Sequence, residues 1–201
     1  MLWTINPSPL LKEYELRTLP VIIRVNEFTE KSARDFGQKM AMAQSTGQDV
    51  IPILIDSYGG QVYSLLSMIS DINHSDIPVA TIAQGKAMSC GAVLLTCGAP
   101  GLRFMDEHAT VMIHDVSSGM RGKVEELKAD SKEADRLNNL IFKMMANNCG
   151  KKDDTFFLRK LKRRSRADWY LTPQDCLKYK IVNDIRVPKL KVDIDVKIEL
   201  D

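Results

Sequence analysis

The stretch Pro78–Leu95, PVATIAQGKAMSCGAVLL, joins an apolar strand to a small-residue turn and the start of a helix. The run Pro78–Ala83 predicts a buried strand. Ser89 occupies the turn, and Gly91 and Ala92 then open an apolar segment that is typical of a helix start. A helix N-terminus favours developing negative charge, so this turn would suit a serine nucleophile beside an oxyanion hole. On this stretch alone, tight packing by small residues is the simpler interpretation.

The composition predicts an ordinary globular chain and names no partner. Of 201 residues, 44% are hydrophobic and 27% are charged, and 28 basic against 26 acidic residues leave a net charge of +2. The four cysteines form no CxxC pair and have no histidine at zinc-ligand spacing, which indicates reduced thiols and no metal site. The sequence shows no run of 18 apolar residues and no secretory signal. We therefore expect a cytoplasmic protein without a membrane partner.

Further apolar runs extend the strand pattern on both sides of the opening stretch. Pro20–Val25, Val50–Ile55 and Ala109–His114 predict strands, and helical patterns lie between them, one after a Thr29 cap and one after Gly60. Alternating strands and helices favour an α/β fold with a parallel sheet. Ligand sites in such sheets cluster at the carboxyl ends of the strands.

A long helical pattern occupies residues 123–149. At about 1.5 Å per residue it would reach on the order of 40 Å, more than a domain of this size needs. Two interpretations are equally compatible with the pattern. The helix projects or packs against another chain, or it is a core helix with frayed ends.

The segment after this helix combines charge with weaker structural signals. Six of the eight residues in Arg159–Arg166 are basic, and we favour a solvated surface over a nucleic-acid patch because no aromatic residue is interleaved. A short helix capped by Asp153 or Asp154 precedes this run. Ile181–Ile185 predicts a strand, and the alternating tail Val192–Leu200 predicts another.

A serine nucleophile requires a base and a group that orients the base. His114 ends an apolar strand at the expected functional edge and is the best candidate base. His74 lies at a helix C-terminus and His108 in a polar turn, where structural roles explain them. For the orienting carboxylate, spacing alone leaves open Asp115, Asp168 and Asp184.

Four blocks occur in one order and resemble the signatures of the ClpP-type serine peptidases, the proteolytic subunits of Clp proteases. The blocks are Asp56–Gly60 (DSYGG), Met88–Ala92 (MSCGA), Val111–His114 (VMIH) and Asp168–Thr172 (DWYLT). The resemblance runs from about residue 21 to residue 185. It implies a ClpP/crotonase-like spiral of strand and helix units, with an N-terminal arm at 1–19 and one peptidase domain at 20–201. The long helix at 123–149 would be the protruding handle.

The resemblance also implies a role for each motif residue. Ser89 would be the nucleophile, His114 the general base, and Asp168 the group that orients the base. The backbone N–H groups of Gly60 and Cys90 would form the oxyanion hole.

The activity implied is that of a self-compartmentalised serine endopeptidase that hydrolyses unfolded polypeptides through an acyl-enzyme. Its partners would be copies of itself in stacked heptameric rings and an AAA+ unfoldase of the ClpX, ClpA or ClpC kind. We expect no metal or organic cofactor. ATP would act only through the unfoldase, because the sequence shows no Walker-type phosphate-binding segment.

Several positions depart from the family pattern. Tyr58 replaces the usual proline before the glycine pair, Cys90 the usual methionine after the nucleophile, and Asp115-Val116 the usual Gln-Pro after the histidine. The N-terminal arm is also shorter than the family's axial-gate segment. A divergent member, for instance a phage-encoded one, would fit these departures. The alternatives are a crotonase-like acyl-CoA enzyme and a catalytically silent ring or scaffold subunit.

Overall fold

The computed structural model describes residues 19–117 and 121–191, and strands and helices alternate through most of this part of the chain. The strands are β1 (Ile23–Val25), β2 (Ile51–Ser57), β3 (Val79–Met88), β4 (Arg103–Met105), β5 (Thr110–Ile113), β6 (Trp169–Leu171) and β7 (Asp184–Ile185). The helices are α1 (Glu30–Ser45), α2 (Val62–Asn73), α3 (Cys90–Leu95), α4 (Val124–Asn148), α5 (Phe156–Lys162) and α6 (Pro173–Lys178). The predicted tail strand at 192–200 and nearly all of the predicted arm at 1–19 lie outside the described residues.

The long strand β3 is the spine of the sheet, which confirms the predicted parallel arrangement. The sheet runs in the order β1-β2-β3-β4-β7, and every pair along this path is parallel. The first half of β3, Thr81–Ala83, pairs with β4, whereas the second half, Lys86–Met88, pairs with β5. β6 then pairs with β5 in the antiparallel sense. The carboxyl end of β3 is thereby brought next to the carboxyl end of β5.

Most of β2 and the first half of β3, Val79–Ala83, are buried on both faces, as near-continuous apolar runs predict for parallel strands. Residues that point to one face join the main core, which includes the fully buried Phe28, Phe142 and Phe157. Residues on the other face form a smaller cluster, namely Leu54, Ala80, Ile82 and Phe104. Pro52 is the second residue of β2, a position where its missing N–H is tolerated.

Helix α4 matches the predicted long helix, with Lys123 and Cys149 as its caps. Its 25 residues span roughly 37 Å at 1.5 Å per residue. The buried residues all lie in the C-terminal half, from Leu137 to Ala146, whereas the N-terminal half is largely exposed and Val124 is 67% exposed. This distribution favours a projecting helix over a core helix with frayed ends.

Several short elements differ from the sequence prediction. The strands β4 and β6 were not predicted, because three residues are too few to show a period. The predicted strand Ile181–Ile185 shortens to β7, since Ile181 and Val182 are buried in the loop before it. Thr155 is the N-cap residue of α5, so neither Asp153 nor Asp154 caps this helix as predicted. Asp153, two residues before the cap, accepts the Thr155 backbone N–H at 2.9 Å.

The basic run at 159–166 is largely paired with neighbouring groups. Arg159 forms an ion pair with Asp153. The Arg164 guanidinium lies 4.6 Å from the centre of the Trp169 ring. Most side chains of the run are also exposed, as the prediction of a solvated surface requires. Across the described part of the chain, the helices are too short or too polar to cross a bilayer.

Candidate active site

Ser89 lies in a strained turn between β3 and α3. Its backbone has φ 54° and ψ −119°, a conformation that costs a residue with a Cβ on the order of 1–3 kcal/mol. The turn is held by a hydrogen bond from the Ser89 N–H to the Met112 carbonyl oxygen at 2.8 Å, and by the Ala92 N–H, which donates to the Ser89 carbonyl oxygen at 3.0 Å. A strand-to-helix turn of this kind exposes the serine Oγ at the edge of the sheet.

The turn leaves no room for a side chain at Gly59, the first residue of the glycine pair after β2. A Cβ built on Gly59 would lie 2.7 Å from the Ser89 Cβ, and Gly59 has φ 108°. A Cβ on Gly60 would lie 2.5 Å from the Phe28 carbonyl oxygen. The glycine pair therefore allows the loop after β2 to approach the serine closely.

His114 is the one predicted histidine that meets the serine. It follows β5, and the pairing of β5 with the end of β3 sets its Nε2 atom 2.8 Å from the Ser89 Oγ. His74 instead bonds the Ser70 carbonyl oxygen through Nδ1 at the end of α2, and His108 is exposed in a turn. A serine hydroxyl within hydrogen-bond reach of an imidazole is the pairing that nucleophilic catalysis requires.

Asp168 is brought to the same edge by the antiparallel pairing of β5 and β6. Ile113 lies opposite Trp169, so continuing this register by one residue sets Asp168 opposite His114. The Asp168 side chain is exposed, and within the described residues it forms no hydrogen bond with the His114 ring. The backbone therefore sets Asp168 opposite His114, but the hydrogen bond between carboxylate and imidazole that a triad requires is not formed in this conformation.

The other two candidate carboxylates have partners of their own. Asp184 lies on β7 and pairs with Arg186 at 2.6 Å. Asp115 is next to the histidine in sequence, but its oxygens accept hydrogen bonds from Asn138 and Arg166. Of the three, only Asp168 has both the position and a free carboxylate among the described residues.

The two predicted oxyanion donors lie on either side of the serine. Cys90 is the first residue of α3, where backbone N–H groups have no partner within the helix. Gly60 bridges to Phe28, and the Gln61 N–H donates to the Phe28 carbonyl oxygen at 2.8 Å. Among the described residues, neither the Gly60 nor the Cys90 N–H donates to a protein acceptor. Both remain available to an incoming oxygen.

The Cys90 side chain has a role that the sequence did not reveal. Its Sγ donates to the Gly60 carbonyl oxygen at 3.3 Å. Burial raises the pKa of this thiol, so it keeps the proton that it donates. A sulfur-to-carbonyl contact between residues 30 positions apart leaves no signal in the sequence pattern.

The serine and the histidine line a small pocket of about 50 Å³. Its lining includes Val93, Ile141 and Phe142, so helix α4 forms part of the wall. Tyr58, the residue before the glycine pair, is 75% exposed, and the Lys86 ammonium lies 4.5 Å from the centre of its ring. The described residues include no cluster of three or more metal-ligating side chains.

The fold and the site define a class of protein, namely α/β proteins with a serine–histidine pair at the carboxyl edge of a parallel sheet. The sequence model described as Clp protease matches residues 14–189. The chain is 30% identical over 181 residues to the ATP-dependent Clp protease proteolytic subunit 3 of Nocardia farcinica (strain IFM 10152), covering 89% of this chain and 78% of that protein. The chain belongs to the Clp protease family, a family of peptidases, which confirms the resemblance and the fold class predicted from the sequence.

Proposed function

We propose that the chain is the proteolytic subunit of a Clp-type, ATP-dependent protease and acts as a serine endopeptidase on unfolded polypeptides. The observation that carries this proposal is the 2.8 Å distance between the Ser89 Oγ and the His114 Nε2 in the strained turn after β3. Family membership supports the class of reaction.

The reaction begins when the Ser89 Oγ attacks the scissile carbonyl carbon. His114 accepts the hydroxyl proton through Nε2 as the new C–O bond forms. The carbonyl oxygen becomes an oxyanion and accepts hydrogen bonds from the Gly60 and Cys90 N–H groups. His114 then protonates the leaving amine as the C–N bond breaks, which leaves an acyl group on Ser89. Water, deprotonated by the same imidazole, releases the acyl group and restores the serine.

Asp168 assists by accepting a hydrogen bond from the His114 Nδ1–H and by stabilising the imidazolium. Its position opposite His114 in the continued register supports this role. The substrate would lie extended along the loop after Gly60 and pair with it through backbone hydrogen bonds. Recognition through the backbone suits a peptidase that reads little sequence.

The assembly belongs to the same proposal. We expect stacked rings of seven subunits in the cytoplasm, fed by an AAA+ unfoldase that consumes the ATP. The exposed N-terminal half of α4 supports this arrangement, because a helix that projects from the core is free to pack against another subunit. The peptidase chemistry itself requires no metal or organic cofactor.

The test combines active-site labelling with peptide hydrolysis. The purified chain is treated with a fluorophosphonate, the labelled residue is mapped by mass spectrometry, and turnover of fluorogenic peptides is compared with Ser89→Ala. Ser45→Ala is the matched control, since Ser45 is an exposed serine whose Oγ donates to the Met42 carbonyl oxygen at the end of α1. Size measurement in solution accompanies both assays.

We expect labelling at Ser89, loss of nearly all turnover in Ser89→Ala and full turnover in Ser45→Ala. Hydrolysis by Ser89→Ala at the wild-type rate would overturn the serine mechanism. Binding of an acyl-CoA without labelling of Ser89 would favour a crotonase-like enzyme instead. A ring that neither binds the label nor cleaves peptides would be a scaffold subunit.

A further inference from the structure

Asp115, the residue after the proposed base, joins three parts of the fold through one carboxylate. Its Oδ1 accepts a hydrogen bond from the Asn138 Nδ2 at 2.9 Å, and its Oδ2 accepts one from the Arg166 Nη1 at 2.7 Å. The Asn138 Oδ1 in turn accepts the Val116 N–H at 3.2 Å. The end of β5 is thereby tied to α4 and to the loop before β6. We term the set Asp115, Asn138 and Arg166 the carboxylate latch.

The latch lies directly beyond the proposed base and its orienting carboxylate. The β5–β6 ladder ends where Ile113 faces Trp169. His114 and Asp168 come next on the two chain segments, and the latch joins the same segments through Asp115, one residue after His114, and Arg166, two residues before Asp168. His114 and Asp168 therefore lie between the β5–β6 pairing on one side and the Asp115–Arg166 ion pair on the other.

The loop that carries Arg166 adopts a conformation that needs such support. Ser165 and Arg166 have φ 55° and φ 58°, two successive left-handed residues that both carry a Cβ. The Arg166 N–H donates to the Leu161 carbonyl oxygen at 3.1 Å, which folds the loop back over the end of α5. Asp168 follows two residues later, so the direction of this loop decides where its carboxylate points.

The carboxylate of the latch is better shielded than that of an ordinary surface pair. The Asp115 side chain is 21% exposed and Asn138 is 6% exposed, whereas the Arg166 side chain is 52% exposed. In the Lys31–Asp35 pair on α1, the carboxylate side chain is 48% exposed. Partial burial of Asp115 reduces the screening of its carboxylate by salt and water.

We propose that Asp115 and Arg166 are positioning residues for the peptidase reaction: they fix the loop before β6 so that Asp168 meets the His114 imidazole. This inference rests on the proposed serine mechanism. Asn138 extends the constraint to α4, so the proposed handle and the proposed triad share one set of contacts. Loss of the latch lowers kcat, because Asp168 then spends less time in contact with the base.

The test measures kcat and KM of Ser89-dependent peptide hydrolysis in four single variants and one double variant, Asp115→Asn with Arg166→Ala. Arg166→Ala removes the ion pair, Arg166→Lys keeps its charge, and Asp115→Asn removes the charge but keeps an oxygen for Asn138. Arg159→Ala is the matched control, because it removes an ion pair with Asp153 from α5, away from the site. Thermal midpoints and assembly size are measured for each variant.

We expect Arg166→Ala and Asp115→Asn each to lower kcat about tenfold to a hundredfold, with KM within about twofold. Arg166→Lys should recover most of the loss, and the double variant Asp115→Asn, Arg166→Ala should be no worse than either single variant. Arg159→Ala should retain the wild-type kcat. If Arg166→Ala does not fold, Asp115→Asn, with its native-like volume, decides the question.

The inference is overturned if Arg166→Ala and Asp115→Asn keep the wild-type kcat, if their losses add in the double variant, or if kcat falls only where the assembly dissociates. In those cases an active wild type, inactivated by Ser89→Ala, would leave the proposed function standing. A wild type without Ser89-dependent hydrolysis would overturn the proposed function and the positioning role together.

Discussion

The Cys90 thiol donates a hydrogen bond to the Gly60 carbonyl oxygen, with 3.3 Å between sulfur and oxygen. The two residues whose backbone N–H groups we propose as oxyanion donors are thus also bonded to each other. The Gln61 N–H of the same peptide donates to the Phe28 carbonyl oxygen, so the peptide after Gly60 is held on both sides. Cys90, at a position where the family usually has methionine, thereby helps to fix the proposed oxyanion site.

The hydrogen bond from the Cys90 thiol to Gly60 predicts that kcat depends on which residue replaces Cys90. Cys90→Ser should retain most activity, because a hydroxyl can donate to the same carbonyl oxygen. Cys90→Ala should lower kcat severalfold and leave KM nearly unchanged, since the Gly60 peptide loses one of its two fixed ends. Steady-state kinetics on a fluorogenic peptide check this. Equal kcat values for the alanine and serine variants would show that the thiol contact does not matter.

Gly59→Ala should damage the site through a steric clash. The new Cβ would lie 2.7 Å from the Ser89 Cβ at a backbone φ of 108°, so the Ser89 turn must move. We expect loss of nearly all peptidase activity and a fall in stability of at least about 1–3 kcal/mol. Urea unfolding and peptide hydrolysis measure the two effects.

Gly101→Ala is the matched control for that substitution. Gly101 also has a positive φ, 85°, but a Cβ there would meet nothing within 4 Å. Gly101→Ala should therefore lose only the stability that a Cβ at positive φ costs, and it should keep full activity. Similar losses of activity in the two variants would contradict the clash.

The buried cysteines should react slowly while the chain is folded. Burial raises the pKa of the Cys149 thiol to about 11, and burial also raises the pKa of the Cys176 thiol. At neutral pH both are therefore protonated and shielded, and the thiolate is the reactive form. Iodoacetamide labelling followed by peptide mapping should modify both residues quickly only in denaturant. Rapid native labelling of Cys149 would contradict this.

A contact between α2 and α4 predicts a pH-dependent stability difference. The Tyr63 hydroxyl donates to the Glu133 Oε1 at 2.6 Å, and Arg136 pairs with the same carboxylate. Arg136 and then Tyr63 lower the pKa of Glu133 to about 2, from an ordinary value of 4.5. A lowered folded-state pKa means that the contact stabilises the fold above the ordinary pKa and ceases to do so as pH falls towards 2.

The check is the difference in Tm between the wild type and Glu133→Gln. It should be present at pH 7 and shrink steadily between about pH 4.5 and about pH 2. The difference should be small throughout, because the carboxylate is exposed to solvent. A difference that grows on acidification would contradict the assigned contact.

Long, uniformly apolar runs made the sheet predictable from the sequence. β2, β3 and β5 were predicted correctly because buried parallel strands appear in the sequence as continuous hydrophobic segments. The sequence predicted Ser89 and His114 at the same edge of the sheet, since each follows an apolar strand, and the family resemblance implied that they act together. The structure adds that β5 pairs with the end of β3, which brings the two side chains within hydrogen-bond distance.

Contacts between short or irregular segments were not predictable. β6 has three residues, yet its register sets Asp168 opposite His114. The bonds of Asp115 to Asn138 and Arg166 span 23 and 51 positions and depend on a loop with two left-handed residues. Side-chain contacts of this kind depend on how the backbone packs, and no periodic pattern in the sequence indicates them.

The strained backbone of Ser89 sets stability against activity at a single position. Glycine adopts φ 54° without a Cβ penalty, so Ser89→Gly would relax the turn while it removes the proposed nucleophile. Selection for folding alone would therefore favour glycine here, and under the proposed mechanism selection for turnover keeps serine. By the same reasoning, a related chain with glycine at this position would be a more stable subunit without catalysis.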